Sequence, residues 1–107
     1  MTEVIVKHHA HALHRWPHAP AHCAYLRNSH RHTFTYVVHL EVKHDDRDVE
    51  FHYLQNWISD WIISDWQEWS CEHIAEALRN AAMRRWPDRR CTTEVWEDDE
   101  CGAIVDG

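Results

Sequence analysis

In residues 30–42, HRHTFTYVVHLEV, the apolar side chains Phe34, Tyr36, Val38, Leu40 and Val42 alternate with Thr33, Thr35, Val37, His39 and Glu41. Successive side chains leave a strand on opposite sides, so a period of two held this long predicts a strand with one buried face. Such a strand needs neighbours and a covering layer. After the charged turn KHDDRD the period changes. Phe51, Leu54, Trp57, Ile58, Trp61 and Ile62 fall on one stripe of VEFHYLQNWISDWIISDW (49–66), which predicts a helix. Ser70 suits the N-cap of a second helix, CEHIAEALRNAAMRRW (71–86), with Glu72 in its first turn and Pro87 just beyond its end. TEVIVKHHAHALH (2–14) reads as a strand with Val4, Val6, His8, Ala10, Ala12 and His14 on one face. RWPHAPAHCAYLRNS (15–29) has two prolines and no period, and reads as a loop. CTTEVWE (91–97) is a further strand, and DDECG a turn into a short AIV. The order strand, strand, helix, helix, strand, strand predicts one α+β domain over 1–107, a four-stranded antiparallel sheet with two helices packed on one face. The bare face and edges of such a sheet predict assembly with copies of the same chain.

Composition narrows the function. At 107 residues there is room for one core and not two, and seven tryptophans with 44% hydrophobic residues argue for a folded chain. Gly102 and Gly107 are the only glycines, which excludes a glycine-rich phosphate loop, whose backbone positions only glycine adopts. A net charge of −7, with no basic stripe interleaved with aromatics, argues against nucleic acid as a partner. An anionic ligand would need local cations, and Lys7, Arg15, Arg27, Arg31 and many histidines sit in the first third of the chain. No stretch approaches a membrane span, and no long apolar segment opens the chain. Cys23, Cys71, Cys91 and Cys101 are scattered without a CxxC pair, which predicts reduced thiols and a cytoplasmic protein.

With twelve histidines, chance pairs such as those in HHAH (His8, His9, His11) are common. In SHRHTF, however, His30 and His32 share a face with Phe34 and Tyr36 and therefore aim inward. Two inward imidazoles can clamp one zinc ion at roughly 2.0–2.1 Å per nitrogen, and a third ligand from a neighbouring strand leaves one position open for chemistry. His14, ending the preceding strand on its even face, is the natural third. Spacing alone does not settle it, and a strand with two bystander histidines stays open.

Landmarks along the chain go further. ALHRWPHAP, then Cys23, SHRHTF, an alternating strand, DVEFHYL, SCEHIAEAL and VWEDDECGAIV occur in that order. This succession resembles the 6-pyruvoyltetrahydropterin synthase and 6-carboxytetrahydropterin synthase family. That family shows a strand ending in A-A-H-R-L, a cysteine, H-G-H plus an aromatic, D-F-x-x-L opening one helix, P-T-x-E opening a second, and a glutamate shortly before a short last strand. The resemblance implies the tunnelling fold, in which small two-layer subunits join edge to edge into an oligomeric barrel, usually trimers stacked into hexamers. It implies a zinc triad on His14, His30 and His32, a thiol base on Cys23, and a pterin-anchoring glutamate on Glu97. It places the pterin-cradling backbone region on Ser70 and Cys71, beside Glu72. HRWPHAP is similar to the HRLPHVP of the 6-carboxytetrahydropterin synthase branch, which makes the precursor of 7-deazaguanine bases such as preQ0 and queuosine. The implied substrate is 7,8-dihydroneopterin triphosphate, with Arg15, Arg27 or Arg31 as candidates for its phosphates.

The chain also departs from the family. The L-D-H-x-x-L-N segment, whose aspartate and histidine relay protons with the cysteine, is replaced by the shorter SDWQEWSCEH. The glycine of H-G-H is Arg31, and the proline of P-T is Trp69. An ordinary thiol, with a pKa near about 8.5, is mostly protonated at neutral pH, so a catalytic cysteine of this kind needs a basic or cationic neighbour. Two further readings follow: a relative that keeps metal and assembly but has lost turnover, serving as a pterin- or purine-binding or structural protein, and a plain histidine-rich metal-binding domain. The last predicts Glu97 in solvent, within an ordinary acidic turn, with no pocket beneath it.

Overall fold

Alternation in the two long strands sets the frame. A computed structural model describes residues 1–106. Strand β1 (Thr2–His14) pairs antiparallel with β2 (His30–Val42) along their whole length, from Thr2 opposite Val42 to His14 opposite His30. Strand β3 (Cys91–Glu97) pairs with the other side of β2, and β4 (Cys101–Val105) pairs with β3. The sheet order is β1-β2-β3-β4, antiparallel throughout, and helices α1 (Phe51–Trp61) and α2 (Cys71–Arg85) complete the predicted α+β class.

Both helices cover the same face. Phe34, Tyr36, Val38 and Leu40 of β2, with Cys91 and Val95 of β3, are fully buried against Leu54 and Ile58 of α1 and Ile74 and Leu78 of α2. Buried side chains of this size contribute about 1.5–3 kcal/mol each. Helix α1 lies over β1, and α2 over β3 and β4. Thr93 Oγ1 donates to the Ala75 carbonyl at 2.6 Å, pinning α2 to the sheet. The opposite face carries Ile5, Lys7, Val37, His39, Glu94 and Trp96, and no helix among the described residues lies on it. Helix α2 is capped as predicted: Ser70 Oγ accepts from His73 N at 3.2 Å. Helix α1 is capped by Glu50, whose carboxylate takes the N–H groups of His52 and Tyr53.

Three local expectations change. The loop 15–29 contains a 3-10 helix, Ala21–Leu26, with Cys23 buried in it. The last strand begins at Cys101, two residues earlier than AIV, because Asp98 and Asp99 turn the chain with left-handed backbones (φ 53 and 57). Aspartate is among the few residues that tolerate that conformation. The predicted first helix, 49–66, stops at Trp61, and Ile62 is extended. Beyond it the backbone finds other partners on the free edge of β1. Leu13 N donates to Ser64 O (2.9 Å), Trp66 N to Leu13 O (2.8 Å) and Arg15 N to Gln67 O (2.7 Å). Trp66 is thereby buried, and its Nε1–H donates to the Tyr36 hydroxyl at 2.8 Å. Burial pushes the Tyr36 phenol up to about 12, so it remains a neutral hydrogen-bonding group.

Candidate metal centre

Strand register alone brings three imidazoles together. His14 lies directly opposite His30, and His32 is the next residue on the same face of β2. Their ring centroids are 4.4 Å (His14–His30), 5.1 Å (His14–His32) and 4.9 Å (His30–His32) apart. One nitrogen from each lies within 4.8 Å of the other two, the one group among the described residues that could hold a metal ion in this way.

Each ring is held from behind. His14 Nδ1 faces the Trp69 carbonyl at 3.3 Å, His30 Nδ1 the Asn28 carbonyl at 2.8 Å, and His32 Nδ1 the Asp98 carboxylate at 2.5 Å. A carbonyl or carboxylate oxygen only accepts, so all three Nδ1 atoms are the donors. In the neutral tautomer this leaves the lone pair on each Nε2, the arrangement found behind metal-ligating histidines. The Nε2 atoms of His14 and His32 are buried and have no hydrogen-bond partner. Buried polar atoms are rarely left so, and a shared cation would supply the missing partner. Burial holds the His14 imidazole below its ordinary value, against the opposing pull of the Trp69 carbonyl and Glu97, which favours the uncharged ligand form. The residues therefore fit a divalent metal of the imidazole-preferring kind, zinc among them.

Glu97 completes the cluster. It ends β3 directly opposite Phe34 of β2, on the helix-covered face, and is not a solvated turn residue. Its Oε1 is 3.3 Å from His14 Nε2 and its Oε2 is 3.6 Å from His32 Nε2. Cys71, in the first turn of α2, donates its S–H to Glu97 Oε1 at 3.5 Å. Burial, the Glu97 charge and the hydrogen bond to it push the Cys71 thiol well above its ordinary value, so it stays protonated. A cavity of about 420 Å³ opens beside the cluster. Its walls include His14, His30, Glu97, Ser70, Cys71 and Glu72, with Arg15, Trp16 and Trp69 around them. Its size falls within the range of small-molecule sites.

The expected site residues divide accordingly. His14, His30 and His32 meet, and Glu97, Ser70 and Cys71 join the same cavity. Cys23 is buried in the 3-10 helix and is not among the residues lining the cavity. Of the cationic candidates Arg15 lines it, Arg27 donates its Nε to the Ala19 carbonyl, and Arg31 lies on the opposite face of β2 from its histidine neighbours. Two contributors escaped the sequence reading, the Trp69 carbonyl and Asp98. Asp98 also accepts from Thr33 N at 2.9 Å, and its place immediately after Glu97 in an acidic run resembles ordinary surface sequence. Against known proteins, no family model matches this chain, and no curated protein matches it.

Proposed function

We propose that this chain is a zinc-dependent synthase of the 6-carboxytetrahydropterin type, acting on 7,8-dihydroneopterin triphosphate to supply the precursor of 7-deazaguanine bases. One observation carries the reading: three imidazoles with tethered Nδ1 atoms bring one nitrogen each within 4.8 Å of the other two, beside a carboxylate, on the wall of a cavity of ligand size. A plain histidine-rich metal-binding domain would not place Glu97 there. His14, His30 and His32 would hold the zinc, which supplies a Lewis acid able to polarise the oxygens of the substrate side chain and acidify the adjacent C–H. Glu97 holds the amino and ring N–H edge of the pterin, a pairing that a carboxylate makes with two parallel donors. Ser70 and Cys71 frame the ring from the α2 terminus, and Arg15 is the cation best placed for the triphosphate that leaves when the C–H proton is taken up by a base. The bare sheet face and the edges of β1 and β4 support assembly of subunits into the trimeric or hexameric barrel of the tunnelling fold.

Cys23 is the proton carrier that the resemblance implies. Its burial away from the cavity lining favours a second reading, in which metal and pocket persist without turnover. One set of measurements separates them: zinc per subunit, consumption of dihydroneopterin triphosphate, and sedimentation mass in multiples of 12.9 kDa. The synthase requires stoichiometric zinc that His30→Ala removes and turnover that Cys23→Ala abolishes. Zinc without turnover establishes the binding protein instead, and absence of zinc overturns both readings.

A further inference from the structure

The contact between Glu97 and the histidines is of an unusual kind. His14 Nδ1 is committed to the Trp69 carbonyl and His32 Nδ1 to Asp98, so in the neutral rings both Nε2 atoms carry lone pairs. Those lone pairs face the two oxygens of Glu97 at 3.3 and 3.6 Å, yet neither pair makes a hydrogen bond. Lone pairs set against a carboxylate repel unless a positive charge lies between them. The separations themselves match a shared ion: bonds of about 2.0–2.1 Å at tetrahedral angles put neighbouring ligand atoms about 3.3 Å apart. The Cys71 S–H, donating to Oε1 from the α2 side, holds the carboxylate in that orientation.

We propose that Glu97 is itself a metal ligand in the resting site, joining His14, His30 and His32, and that a dihydropterin binds by drawing this carboxylate off the metal. The inference rests on the metal-dependent pterin reading above and deepens it. A carboxylate that closes the fourth position keeps water from it until a ligand with two adjacent N–H groups competes for the same oxygens. Substrate binding and opening of the metal then become one event, because a single side chain serves both.

The test uses the full chain loaded with cobalt(II), whose visible bands report the ligand set, alongside zinc affinity measured by chelator competition. Glu97→Gln should change the cobalt spectrum and weaken zinc by at least about tenfold to a hundredfold, the loss usual even for groups behind the ligands. Titrating wild-type protein with 7,8-dihydroneopterin should shift its spectrum towards that of the variant, and this arm needs no mutant to fold. Superimposable spectra with equal zinc affinity for wild type and Glu97→Gln would overturn the ligand role while leaving the proposed function standing. A wild-type spectrum unmoved by a dihydropterin that demonstrably binds would overturn the displacement. Wild-type protein that takes up neither metal removes the pterin reading as well.

Discussion

Asp98 shows how much a single side chain can carry without a motif to announce it. Its carboxylate takes the His32 Nδ1–H and the Thr33 N–H, and those two bonds, His32 first, hold it below its ordinary value. Both contacts depend on the left-handed turn at Asp98 and Asp99, which swings an acid after the end of β3 back over β2. Removing the acceptor frees the His32 ring to rotate and to change tautomer. Asp98→Ala is therefore expected to weaken zinc by about 10–100-fold with little change in secondary structure, measured by chelator competition and circular dichroism. A change below threefold would show that His32 is oriented by packing alone. The histidines were legible at this scale because alternation on β2 and the last even position of β1 assign their faces. Asp98 was not, because its orientation follows from turn geometry.

At the level of elements, the caps and stripes behaved locally and could be read locally. Ser70 is an example, with its hydroxyl engaged by His73 N and not by the histidine cluster. Ser70→Ala is expected to lower stability by about 1 kcal/mol in urea denaturation while zinc affinity moves by less than about tenfold. The first helix is the counter-example. Its apolar stripe continues through Ile62 and Trp66, so periodicity alone extends it to 66. In the fold, residues 64–67 exchange helical hydrogen bonds for bonds to Leu13 and Arg15 on the β1 edge, and Trp66 gains the Tyr36 hydroxyl. That exchange also leads the chain to Trp69, whose carbonyl reaches His14. An element boundary thus decides part of the metal site.

Across the whole molecule, acid should act through carboxylates that the fold stabilises in ionised form. Asp48 is held low first by the Lys43 N–H and then by Arg89, Glu50 by the N–H groups of His52 and Tyr53, and Asp98 by His32 and Thr33. Each folded value lies below the ordinary 3.8 or 4.5, so in that window the unfolded chain binds more protons than the folded one. Their stabilisation is complete above the ordinary values and is lost as pH falls through the depressed ones. The thermal midpoint of metal-free protein, kept so with chelator, is expected to decline below about pH 4.5 and to level off as neutrality is approached. A midpoint flat through that acid range would count against these contacts. Among the described residues, no helix is long and apolar enough to cross a membrane.

By itself the sequence determined four strands, two helices, their order, and the face on which His14, His30 and His32 would stand. Those properties follow from periods of two and 3.6, which each segment carries within itself. Only the tertiary structure decided where α1 ends, that Glu97 would face the histidines instead of solvent, and which groups would hold each imidazole from behind. His14 and Trp69 are separated by 55 positions, and His32 and Asp98 by 66. Partners at such distances are selected by how strands register and how the segment before α2 packs along β1, and no local pattern encodes that choice.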